Sequence, residues 1–142
     1  MGELTGRCLC GAVSYRIHGE PVLARVCWCR DCQRHAANGT VNLLVPTAGL
    51  ETQGQTSVYV STAASGNETR RRFCPSCGSH VFANSSARPQ FTVVRVGTLD
   101  DPSAVRPTAN IWASSAPVWA CLDGDLERVD RQPSLPPPSA NA

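Results

Sequence analysis

"CPSCG", residues 74–78, is the stretch on which the fold turns. A CxxC turn closed by glycine is a zinc knuckle. The glycine permits a backbone conformation in which amide N–H groups point back at the sulfurs and spread their charge. A knuckle supplies two of the four ligands that zinc takes in a structural site, so a second pair is needed. "CLCG", with Cys8 and Cys10, is its natural complement, because i, i+2 side chains on an extended segment face the same way. Together Cys8, Cys10, Cys74 and Cys77 predict a closed four-thiolate site that ties the N-terminus to the middle of the chain. Such a site saturates its metal and reads as structural. A redox-active CxxC disulfide is the competing reading, but that pair usually opens a helix in an α/β setting.

The knuckle sits in "TRRRFCPSCGSHVFA", which reads as a hairpin with the cysteine turn at its tip. "GAVSYRIHG" alternates Val13, Tyr15 and Ile17 with polar residues, the period of a half-buried strand. "PVLARVC" carries a similar pattern into Cys27, after a "GEP" turn. "TVNLLVP", "TSVYVS" and "FTVVRVG" are further strands rich in β-branched residues, and "NIW" and "VWACL" are shorter late ones. Residues 31–37 form a short helix or a few loop turns. The fold class is therefore mainly β with little helix: one domain over residues 1–131, then a proline-rich polar tail over 132–142 expected to be disordered or extended.

Eight cysteines in 142 residues need a purpose. The opening "MGELTGRCLC" turns polar and cysteine-rich at once, with no sign of a signal peptide or a membrane-spanning run. That predicts a reducing, cytoplasmic location, where clustered thiols bind metal more often than they pair as disulfides. All thirteen basic residues are arginine, so carbonyl chemistry cannot run through a lysine Schiff base. A net charge of +2, with the acidic "LDGDLERVD" near the end, gives little pull toward nucleic acid.

"CWCRDC", residues 27–32, poses the functional question. Cys27, Cys29 and Cys32 can share one ion, and three protein ligands plus an exchangeable position is the arithmetic of a catalytic zinc. The alternative is a second closed site completed by Cys121 or His35. Cys121 lies in the apolar run "VWACL", where core packing is the ordinary role of a lone cysteine. His35 lies three residues past Cys32 and is a candidate ligand or acid–base group; Asp31 is a second candidate for moving protons, or an ordinary helix-start residue. His18 and His80 read as structural. In "RRR", Arg70 and Arg72 would point together and could bind carboxylates, although a solvated hairpin edge is the plainer reading. Trp112 and Trp119 could wall a pocket or simply pack in the core.

"GRCLCGAVSY", "CWCRDCQRHAANG", "RRRFCPSCGSHVFA" and "VRVGTLDDP" followed by "IW" resemble the glutathione-dependent formaldehyde-activating enzyme (GFA) family, which includes centromere protein V. The resemblance implies a β-tent type fold of small antiparallel sheets with two zinc ions per chain. It implies that Cys8, Cys10, Cys74 and Cys77 hold a structural zinc and that Cys27, Cys29 and Cys32 hold the catalytic one. Members often carry histidine between the first two central cysteines, where this chain has Trp28. The implied activity is that of a carbon–sulfur lyase joining a thiol, glutathione in the family, to formaldehyde or another small aldehyde. The alternative is a zinc-stabilised module that binds a protein and catalyses nothing.

Overall fold

The computed structural model describes residues 3–134, so the part of the expected tail at 135–142 lies outside the described residues. Among the described residues eleven strands form two sheets, accompanied by one α-helix and four single-turn 3-10 helices. The smaller sheet is antiparallel, with β2 (Ser14–Ile17) flanked by β1 (Leu4–Arg7) and β5 (Leu50–Gln53). The larger sheet has eight strands. Its centre is antiparallel: β3 (Leu23–Cys27), β4 (Thr40–Pro46), β9 (Phe91–Arg95), β8 (His80–Ser85), β7 (Glu68–Phe73) and, at the edge, β6 (Ser57–Thr62). On the other side β10 (Ala109–Ile111) joins β3 in parallel, and β11 (Glu127–Arg128) extends it.

The period-2 pattern decides which face each residue serves. Val13, Tyr15 and Ile17 are all buried, and they meet Leu43, Val45, Val81 and Val94 of the large sheet to form the main core. Cys8 and Cys74 belong to that same core at 1% and 0% exposure. The intervening residues turn to the opposite face. Asn42 of β4 pairs directly with Arg95 of β9, Val93 with Ala83 of β8, and Ala83 with Arg71 of β7. Alternation thus lays Cys27, Asn42, Val93, Arg95, Ala83 and Arg71 along one side of the large sheet, away from the main core.

Helix α1 (Arg30–Ala36) starts three residues after β3 ends. Cys29 is its N-cap, accepting a hydrogen bond from the Cys32 amide at 3.3 Å. Ala37 ends it in the left-handed conformation, at φ 62°. Trp28, between Cys27 and Cys29, is tied to β10. Its indole N–H donates to Asn110 Oδ1 at 3.1 Å, and its face lies so close to Gly39 that a Cβ there would come within 2.7 Å. Trp28 is 5% exposed and packs against Gly39, just before β4, and Asn110 of β10.

Two expectations fail in the late chain. "VWACL" forms no strand; Val118, Trp119 and Cys121 are exposed, so neither core packing nor a pocket wall accounts for Trp119 or Cys121. The run is short, its flank carries Pro117 and Asp123, and it pairs with neither sheet. The arginine run also differs. Its hairpin is not the sheet edge, because β6 covers β7, and the middle residue, Arg71, is the buried one. Arg70 stays outside, paired with Glu68 at 2.8 Å.

Candidate metal centres and the cavity beside them

Two groups of thiols emerge from this framework. The Sγ atoms of Cys8, Cys10, Cys74 and Cys77 all lie within 4.8 Å of one another. The first two come from the turn after β1 and the others from the turn joining β7 to β8. Gly78 has φ 77°, in the left-handed region, and its amide donates to the Cys74 carbonyl at 2.9 Å, closing the knuckle as the sequence predicts. The Val13 amide donates to Cys8 Sγ at 3.3 Å. Ser79 links the two loops: its hydroxyl lies 3.2 Å from Cys77 Sγ and accepts from the Leu9 amide at 3.0 Å. The Ser79 hydroxyl and then its amide pull the Cys77 thiol down to about 5, while Cys10, against the lowering pull of the Ala12 backbone, is pushed up to about 11 by Cys8, desolvation and the other two sulfurs.

The second group is Cys27, Cys29 and Cys32, again with every Sγ within 4.8 Å of the others. Cys27 ends β3, Cys29 caps α1 and Cys32 lies in its first turn, so one strand-to-helix junction presents all three. They pack with Ala109 and Ile111 in a small cluster separate from the main core. Hydrogen bonds from Cys27 and Cys29, then the charges of Arg95 and Arg71, hold Cys32 far down, at about 2. The same hydrogen bonds, with burial, push Cys27 far up. A second and third anion packed beside the first is too costly without a cation among them. Both donor sets therefore suit a thiophilic ion, and both are compatible with zinc. Among the described residues neither Cys121 nor His35 joins the trio, and all eight cysteines are free of disulfides.

The three cysteines of the trio line a cavity of about 400 Å³. Asp31, Arg71, Arg95, Trp112 and Gln132 also border it. Arg71 and Arg95 are each 7% exposed. Arg95 donates to Asn42 Oδ1, its partner across the strands. Arg71 donates to Ser61 Oγ at 2.9 Å and lies 3.8 Å from the exposed Asp31 carboxylate; its buried Nε has no hydrogen-bond partner. Trp112 holds the left-handed conformation at φ 53°, strained for a non-glycine residue, and its N–H donates to Gln132 at 3.0 Å.

His35 lines a different cavity of about 390 Å³ with His80, on the other side of Arg95, which borders both. Its ring centroid lies 4.8 Å from that of His80 and 5.9 Å from Tyr59. Burial first, then Arg71 and Arg95, lowers its pKa, and burial lowers that of His80, so both rings are neutral at pH 7. His18 is a surface group between Glu3 and Glu51. The sequence reading missed Arg71 and Arg95. Strand parity was the available signal, since Asn42, Arg95 and Arg71 share the face on which Cys27 ends.

A two-sheet β fold carrying one four-thiol and one three-thiol group, the latter opening on a cavity, defines a β domain suited to binding metal at two places. The sequence profile of the glutathione-dependent formaldehyde-activating enzyme family matches residues 3–115, and the chain belongs to that family. A crystal structure of a Rhodobacter sphaeroides protein, solved as a structural genomics target, is similar in fold, with a TM-score of 0.56 and 23% identity. The likeness covers 70% of this chain and 93% of that one. Comparison with curated proteins finds no match. Among the described residues no helix is long and apolar enough to cross a membrane.

Proposed function

We propose that this chain is a zinc-dependent carbon–sulfur lyase that adds a thiol, glutathione in the first instance, to formaldehyde or another small aldehyde, giving an S-hydroxymethyl adduct. Cys8, Cys10, Cys74 and Cys77 hold a structural zinc in this reading, and Cys27, Cys29 and Cys32 hold the catalytic one. The observation that carries it is the trio itself: three thiols that no fourth Cys, His, Asp or Glu joins among the described residues, lining a cavity of about 400 Å³. Zinc held by three thiolates would be a weak Lewis acid and would serve instead to keep an incoming thiol ionised. A free thiol with a pKa of about 8.5 is only a few per cent ionised at neutral pH.

The protein's own part is to orient and to move protons. The new bond joins the thiol sulfur to the carbonyl carbon; the thiol proton leaves and the carbonyl oxygen gains one. Asp31 borders the cavity of the trio, whereas His35 borders the adjoining cavity. Proton transfer is therefore assigned first to Asp31, and loss of turnover in His35→Gln with Asp31→Asn active would reassign it to His35. The eight free thiols fit a reducing compartment such as the cytoplasm.

Cys32→Ser tests the reading. It should leave one zinc per chain and the unfolding transition intact while reducing thiol–aldehyde adduct formation to the uncatalysed rate. Full activity with one zinc missing would refute catalysis at the trio. The exposed Val118 and Trp119 favour the second reading, a protein-binding module, and an inactive native protein with two zincs would move the assignment there.

A further inference from the structure

Arg71 and Arg95 stand out as charges without sufficient counter-charge. Both are more than nine-tenths buried and both border the cavity of the trio; burial, and then the Arg71 charge, disfavour the charged form of Arg95. Two guanidiniums side by side out of water are expensive unless anions compensate them. The compensation in place is partial. A divalent ion on three thiolates amounts to one negative charge against two positive ones, and the Asp31 carboxylate is mostly exposed at 3.8 Å from Arg71. The Arg71 Nε remains buried and unpartnered. Of the many N–H groups on the two side chains, Ser61 takes one from Arg71 and Asn42 one from Arg95, and Arg95 is further favoured by the Cys32 and Cys27 sulfurs.

We propose that Arg71 and Arg95 form a carboxylate-binding site beside the metal, so that the ligand this chain selects carries a carboxylate close to its reacting atom. This rests on the thiol-addition reading and narrows its substrate class. Formaldehyde is neutral, has two non-hydrogen atoms, and would leave both the surplus charge and most of a cavity of about 400 Å³ unmatched. A carboxylate offers two oxygens with about four acceptor sites, the match for a guanidinium fork. The geometry also limits the length of the ligand. Arg95 and the three cysteines line the same cavity of about 400 Å³, so a carboxylate held by Arg95 lies within a few bonds of any atom on the same ion. That describes a short mercapto acid or the adduct of a 2-oxo acid better than the distant carboxylates of a tripeptide.

The carboxylate can arrive on the thiol or on the carbonyl compound, and two arms separate these. In the first, full-length protein loaded with cobalt in place of zinc is titrated with 3-mercaptopropionate and with 2-mercaptoethanol. The sulfur-to-metal absorption reports binding. Native protein should bind the acid roughly tenfold or more tighter than the alcohol if the thiol brings the carboxylate. In the second arm, adduct formation from 2-mercaptoethanol is compared with glyoxylate and with formaldehyde; preference for glyoxylate places the carboxylate on the carbonyl compound. Preference in either arm, lost in Arg95→Met or Arg71→Met at unchanged metal content, supports the site. Should the methionine variants fail to fold, Arg71→Lys and Arg95→Lys keep the charge and remove the fork, and should lose most of the preference. No preference in either arm, with both thiols still shifting the absorption, overturns the carboxylate site and leaves the lyase reading standing. Absence of any shift with either thiol overturns both.

Discussion

The two cysteine groups use the same element and differ in almost everything around it. The four-thiol group draws its members from turns 64 residues apart in sequence and packs Cys8 and Cys74 into the main core. Backbone amides and Ser79 knit its two loops together. The three-thiol group comes from one strand-to-helix junction, belongs to a small separate cluster, and faces a cavity flanked by two buried arginines. A closed donor set rooted in the core suits a staple. An incomplete one, with charge and space beside it, suits chemistry. Ligand number and surroundings make the distinction, not the thiols themselves.

Disabling one group at a time should give opposite results. Cys74→Ser attacks the staple. Structural zinc contributes about 10–16 kcal/mol of apparent binding energy in small zinc domains, against about 5–15 kcal/mol for the whole stability of a typical domain. The variant should lose its cooperative thermal transition, read by circular dichroism alongside zinc content. A transition within a few degrees of native would remove the structural role. Cys32→Ser, by contrast, should leave that transition in place and cost the reaction.

Smaller changes sharpen the comparison at the junction that holds the trio. Gly39→Ala drives a methyl group to 2.7 Å from the Trp28 ring, which cannot retreat from its bond to Asn110 without disturbing the segment between Cys27 and Cys29. Overpacking of this kind costs about 1–3 kcal/mol, measurable by urea denaturation, and should weaken metal binding at the trio more than at the knuckle. Equal weakening at both would mean that Trp28 supports the fold generally. Ala37→Gly is the mildest. It relieves a left-handed alanine at the end of α1 and should stabilise the protein by about 0.5–1 kcal/mol, since the strain removed exceeds the entropy added to the unfolded chain. A loss of stability would show that the alanine methyl group is needed for packing.

Much of this was legible in the sequence because it is local. The alternation of Val13, Tyr15 and Ile17, the CPSCG turn with its glycine, and the spacing of Cys27, Cys29 and Cys32 depend on few neighbours. The short strands β1, β5 and β11 were missed because their residues gain strand geometry only from partners elsewhere. "VWACL" has strand composition but pairs with none of the sheet edges. Arg71 illustrates the limit most clearly. Three consecutive arginines look like a solvated stripe, and only the register with Ala83 and Val93 reveals that the middle one points at the cysteines' side of the sheet.

The central claim concerns how many partners each ion takes from the polypeptide, and a crystal structure of the zinc-loaded protein measures that outright. One ion should sit on Cys8, Cys10, Cys74 and Cys77, and the other on Cys27, Cys29 and Cys32 with a water or added thiol as its fourth ligand. A side chain of this protein, such as Cys121, bonded to the second ion with and without thiol would contradict the account.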